Sequence, residues 1–98
     1  MKILCIGRNY RDHAMELGNT VPTEPVVFCK PDSAILQPNF PFTIPPWSND
    51  IHHEVEWVIK IGRVGKFIEP EFAWSYVDSM TVGIDFTARD LQSKLKEN

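Results

Sequence analysis

An α+β, mostly β architecture is what this sequence predicts, and three observations predict it. Short runs rich in Ile, Val and aromatic residues recur along the chain, as strands require. Prolines and glycines punctuate the intervals between them, eight and five in number, which cuts the chain into pieces too short for long helices. Stretches of helix formers are few and short, the clearest of them one near the start and one at the end.

Taken in order, residues 2–7 read as a strand of Ile, Leu and Cys closed by Gly7. Residues 11–17 follow with helix formers, and Gly18 and Asn19 act as the stop. Pro22 and Pro25 break the chain ahead of "VVFCK", a second strand that ends at Pro31. Pro38, Pro41, Pro45 and Pro46 then suit short strands and turns, with "AILQP" and "FTIP" as the candidate strands. The longest extended stretch is "HHEVEWVIKIG", closed by a turn around Gly62 and Gly65. In "EPEFAWSYV" Pro70 lies near a helix start, "MTVGIDF" is a further strand, and "TARDLQSKLKEN" is a helix. Its expected N-cap is Thr87, with Asp90 in the first turn and Leu91 and Leu95 on one face.

Ninety-eight residues make one small domain with a thin core. Ten basic against thirteen acidic side chains give a net charge of −3 with no basic cluster, which argues against a nucleic-acid partner. Cys5 and Cys29 stand singly in apolar runs, as free thiols in a reducing compartment do. The opening "MKILCIG" is interrupted by Arg8 before it reaches the length of a signal-peptide core, and nothing approaches a membrane span. The expectation is a cytoplasmic protein.

The chemistry concentrates in the longest strand. Side chains alternate there, so Glu54, Glu56, Val58 and Lys60 share one face while Val55, Trp57, Ile59 and Ile61 share the other. The second face is core. On the first, two carboxylates about 7 Å apart along the strand repel unless a positive group lies between them, and a hard divalent cation answers that need. Two other readings stay open. The face can simply meet water with each Glu paired to a Lys of a neighbouring strand. Alternatively a zinc ion can use His52 or His53, although adjacent histidines point to opposite faces and only one of them could join the glutamates.

Further candidates lie elsewhere. His13 and Glu16 are three apart on one side of a helix, where the carboxylate can hold the imidazole as a general base. Their plainer reading is an exposed pair. Asp85 stands alone at a strand end just before a helix, a common place for a site and also for a turn aspartate. Arg8, Asn9, Tyr10 and Lys30 add polar groups beside strands, each of which could as well be structural or solvated.

Together, "IGRNYRDHAMELG", "EPVVFCKP", "HHEVEWVIKIG" and "GIDFTARDLQ", in this order and with these gaps, resemble the fumarylacetoacetate hydrolase family, in its acylpyruvate hydrolase and oxaloacetate decarboxylase branch. The resemblance covers essentially the whole chain. It implies the N-terminal portion of that family's mixed β-roll fold, with residues 1–98 as a single incomplete domain of a longer protein. It further implies a magnesium or manganese ion held by Glu54, Glu56 and Asp85, a catalytic dyad of His13 and Glu16, and a pocket wall of Arg8, Tyr10 and Lys30. The implied activity is metal-dependent cleavage of a C–C bond in acylpyruvate-type 2,4-diketo acids, decarboxylation of oxaloacetate, or both. An isomerase or tautomerase of a 2-oxo acid is the alternative within the family. An inert β-rich fragment is the alternative outside it. The implied partners are a small 2-oxo acid and a second copy of the full-length protein.

Overall fold

The computed structural model describes residues 1–9, 16, 18 and 23–97. Two compact units divide the chain, Met1–Phe42 and Thr43–Asn98.

In the first unit β1 (Ile3–Gly7) pairs antiparallel with β2 (Val26–Lys30), Cys5 opposite Phe28. Both strands fall where their β-branched and apolar residues put them. Neither Cys5 nor Cys29 is in a disulfide. The helix expected over 11–17 lies almost wholly outside the described residues, which include only Glu16 and Gly18 from that region.

Neither "AILQP" nor "FTIP" forms a strand. The backbone after Pro31 instead makes a 3-10 turn at Asp32–Ala34, with the Ala34 N–H donating to the Pro31 carbonyl at 3.0 Å. Turns continue from the Phe40 N–H to the Gln37 carbonyl at 3.2 Å and from the Ser48 N–H to the Pro45 carbonyl at 3.5 Å. The physical reason is the proline density. Each proline lacks the N–H that a ladder needs, and apolar content alone does not supply a strand with a partner.

The second unit is a long antiparallel hairpin with a helix at its open end. β3 (Ile51–Ile61) pairs with β4 (Val77–Ala88), and the register sets His52 opposite Thr87, Glu54 opposite Asp85, Glu56 opposite Gly83 and Trp57 opposite Val82. The two strands are joined by an excursion that includes a 3-10 segment, Pro70–Tyr76, and the Gly62 N–H closes it on the Tyr76 carbonyl at 2.9 Å. A Cβ at Gly65 would stand 2.5 Å from Ile68 Cδ1 and 2.6 Å from Tyr76 Cε1, so those side chains would have to shift for any larger residue.

Helix α1 (Arg89–Glu97) follows β4 directly. Thr87 is therefore not its N-cap, because β4 runs on through Ala88 and holds Thr87 in the ladder opposite His52. The ladder outcompetes the cap because the partner strand extends far enough to pair with it. No helix of the described residues is long and apolar enough to cross a membrane.

The alternation expected of the hairpin is observed, with one difference. Val55, Trp57, Ile59 and Ile61 share a side with Met80, Val82 and Ile84, yet each of these is exposed in this chain, Val82 by 69% and Val55 by 62%. Trp57 meets Trp74 on this side, with the two rings 6.2 Å apart.

Candidate functional site

The opposite side of the hairpin gathers the polar residues. Along β3 it carries His52, Glu54, Glu56, Val58 and Lys60, and along β4 Ser79, Thr81, Gly83, Asp85 and Thr87. Residues facing each other across an antiparallel pair project to the same side, so the register that sets Asp85 opposite Glu54 also joins it to Glu56. One carboxylate oxygen from each of Glu54, Glu56 and Asp85 lies within 4.8 Å of the other two, and all three side chains are partly buried. Three hard oxygen donors at that separation suit a cation such as magnesium or calcium, whose ligand oxygens sit about 3–4 Å apart around the ion.

Gly83 keeps this face open. It sits opposite Glu56, and a Cβ added there would meet Val58 Cγ2 at 2.9 Å. Any larger side chain would therefore crowd the floor beside Glu56. A glycine within a strand commonly marks a close approach of this kind.

Arg89 is the residue beside this cluster that the sequence reading missed. From the first position of α1 its guanidinium donates through Nη2 to Glu54 Oε1 and through Nη1 to Gln92 Oε1, the latter at 2.6 Å. The pair is well enclosed, with the arginine side chain 13% and the glutamate side chain 20% exposed. A signal for it existed. Asp85, Thr87 and Arg89 alternate, so extending the strand to residue 88 puts Arg89 on the face of Asp85. Charge bookkeeping then favours a divalent ion: three carboxylates and one guanidinium leave a formal −2 among these four side chains.

Neither His52 nor His53 belongs to this cluster. His52 shares the face of Glu54, but its Nε2 lies 3.1 Å from Asp50 Oδ1, and His53 lies on the other face opposite Phe86. Glu54 has Arg89 against it rather than a lysine of a neighbouring strand, and Lys60 approaches Asp78 at 3.8 Å.

Next to the carboxylates, Asp90 binds the loop ahead of β3. Its Oδ1 accepts from the Ser48 hydroxyl at 2.7 Å and its Oδ2 from the Asn49 N–H at 3.0 Å. The Asn49 amide, and then the Ser48 hydroxyl, hold the Asp90 carboxyl below the usual carboxylate range. Ser48, 6% exposed, is the buried polar residue of the described chain.

The remaining candidates belong to the first unit. Arg8 follows β1 with a left-handed backbone, φ 54°, and is exposed. Lys30 ends β2 opposite Ile3 and is partly buried, and Glu16 is exposed. Tyr10 and His13 lie outside the described residues.

Residues 2–98 match the family model described as fumarylacetoacetate (FAA) hydrolase, C-terminal. The chain belongs to the fumarylacetoacetate hydrolase family. It is similar to the mitochondrial oxaloacetate decarboxylase of Dictyostelium discoideum, 50% identical over 97% of this chain and 44% of that protein. It is similar also to the mitochondrial oxaloacetate tautomerase of Arabidopsis thaliana, 44% identical over 97% of this chain and 43% of that one. Among solved structures, the 5-carboxymethyl-2-hydroxymuconate delta-isomerase of Mycobacterium smegmatis superposes with a TM-score of 0.79 at 41% identity, over 95% of this chain and 37% of its own. The chain thus spans less than half the length of the curated relatives it matches. The α+β, mostly β fold is that of part of the family's structure.

Proposed function

We propose that this chain contributes the metal-holding half of an enzyme acting on small 2-oxo acids, either cleaving a C–C bond in acylpyruvates or decarboxylating oxaloacetate. One observation carries the reading: Glu54, Glu56 and Asp85 bring three oxygen donors together on the protected side of the hairpin, with Arg89 against one of them. Magnesium is the proposed ion, with manganese as its substitute, because the donor set is all carboxylate oxygen with neither sulfur nor nitrogen. When bound, such an ion supplies positive charge to the neighbouring oxygens of a 2-oxo acid.

The residues divide the remaining work. Glu54, Glu56 and Asp85 fix where the acid's oxygens come to lie, and Arg89 keeps Glu54 from turning away. His13 accepts or returns the proton, and Glu16 holds its imidazole and favours the protonated form. Arg8, Tyr10 and Lys30 complete the pocket wall and take the substrate's own carboxylate. In decarboxylation the bond to the leaving carboxyl breaks, its electron pair remains as the enolate of pyruvate, and a proton returns to carbon as CO2 departs. In hydrolysis His13 takes a proton from water, the hydroxide attacks the distal carbonyl, and the same enolate leaves.

A second reading, tautomerisation or isomerisation, moves only the proton. It is favoured by the relatives that are named as an oxaloacetate tautomerase and a delta-isomerase. The proposal extends to a homodimer of the full-length protein and to residues 1–98 as one incomplete domain; the exposed apolar side of β3 and β4 supports a covering layer. The proposed location is the cytoplasm, and the relatives named as mitochondrial make that compartment the alternative.

The test is a product assay. The full-length protein is incubated with oxaloacetate and with an acylpyruvate, with magnesium or with EDTA. Magnesium-dependent pyruvate supports hydrolysis or decarboxylation, and loss of the enol absorbance without pyruvate supports the tautomerase. No change in either substrate overturns the enzyme reading and leaves an inert fragment.

A further inference from the structure

The Asp90 contacts are unusual for an aspartate in the first turn of a helix. Such a residue ordinarily acts on the helix itself, through the macrodipole and the free N–H groups. Here the Leu91 N–H does donate to Asp90 Oδ1 at 3.0 Å, but both carboxylate oxygens also reach back to residues 41 and 42 positions earlier. The Ser48 hydroxyl, donating to Asp90, in turn accepts from the Asp50 N–H at 3.3 Å. A fifth bond closes the set: the Arg89 N–H donates to the Asp50 carbonyl at 2.8 Å.

These bonds converge on one residue. On one side of Arg89 stands Ala88, paired with Ile51 at the end of the ladder, and on the other stands Asp90 with its grip on Ser48 and Asn49. The Arg89 backbone is thereby fixed from both directions. A long guanidinium side chain is directed only as well as its own Cα is held, and this one must meet Glu54 on β3 while its other nitrogen meets Gln92.

We propose that Asp90, acting with Ser48, is a positioning residue that locks the 48–50 segment to the head of α1 and so holds Arg89 on Glu54 in the orientation that ion binding requires. The inference rests on the metal reading of Glu54, Glu56 and Asp85 given above. Groups that orient a metal ligand without touching the metal typically change affinity about 10–100-fold when removed. Asp90 and Ser48 act one step further out, so the lower end of that range is expected.

The experiment uses the full-length protein and two readouts. The first is calorimetric titration with MgCl2 and with MnCl2. Asp90→Asn and Ser48→Ala are expected to weaken binding about tenfold, whereas Ser48→Thr, which keeps the hydroxyl, restores it to within about twofold of the parent. The second is amide hydrogen exchange without metal. The Arg89 and Asn49 amides are expected to exchange faster in Asp90→Asn than in the parent, with the β3 and β4 amides around Trp57 and Val82 unchanged. Faster exchange with undiminished affinity overturns the positioning role and leaves Asp90 a structural residue only. If the parent protein binds neither ion, the metal reading of the site fails, and the lock is judged on exchange alone, where unchanged protection of Arg89 overturns it.

Discussion

The guanidinium of Arg89, at the first position of α1, lies against the carboxylate of Glu54, in the middle of the polar side of β3. Both side chains are less than a quarter exposed, so the pair is shielded beyond what a surface ion pair enjoys. Removing only the cation leaves three carboxylates facing one another. Arg89→Met is therefore expected to destabilise the full-length protein in EDTA by about 1–3 kcal/mol, below the 3–5 kcal/mol of a fully buried broken pair. Denaturant unfolding measures it, and a midpoint equal to that of the parent would class the pair with inconsequential surface contacts.

The three carboxylates should also be visible through ligand linkage. An ion that binds only the folded state at about a hundred times its Kd adds about 2.7 kcal/mol of stability. Magnesium is expected to raise the Tm of the parent protein, and Glu56→Gln or Asp85→Asn to abolish most of that rise. A full magnesium shift in both variants would remove these residues from the ion.

Gly83 offers a test by packing. Replacing it with valine forces a branched side chain against Val58 and beside Glu56, at a cost of about 1–3 kcal/mol typical of overpacking. The double variant Gly83→Val with Val58→Ala should recover part of the loss, because neighbours in contact are not additive. Additive losses would mean that the two positions do not compete for the same space.

If His13 is the proton carrier, His13→Ala lowers turnover about 10²–10⁴-fold. Stability stays within about 0.5 kcal/mol, as for surface changes away from the core. The two are read by steady-state kinetics and thermal unfolding of the same preparation. Unchanged turnover moves the proton to another residue.

Much of this was legible in the sequence. The period of two in a strand converts spacing directly into a shared face, which is why Glu54 and Glu56 stood out, and why the apolar side of Val55, Trp57, Ile59 and Ile61 was readable at once. Asp85 stood out as a strand-end aspartate, but joining it to Glu54 required the family resemblance, since that pairing follows from a register set across the long excursion between β3 and β4. Arg89 was lost through a boundary. Starting the helix after Thr87 rather than after Ala88 turns the side chain off the strand's face, and strand or helix ends are where local preferences are weakest. Ser48 was invisible for a different reason: its partner Asp90 is remote in sequence, and no periodicity links a proline-rich loop to a helix head.

The apolar side of the hairpin bears on the isolated span. Exposed faces and long strand edges of this kind associate. Residues 1–98 expressed alone are expected to aggregate or to unfold without a sharp transition, measured by scattering and calorimetry. A soluble monomer with a cooperative transition would show that this span needs no covering layer.

The two tryptophans of the hairpin give it an optical signature. Trp57 belongs to β3 and Trp74 to the 3-10 segment that precedes β4, and their rings lie 6.2 Å apart with planes inclined at 35°. Indoles this close and this tilted couple their electronic transitions, producing a paired circular-dichroism band that vanishes once the excursion swings off the strand. Trp47 lies in the loop ahead of β3, outside this pair. Closure of the excursion onto the hairpin can thus be followed by circular dichroism during refolding, without any added label.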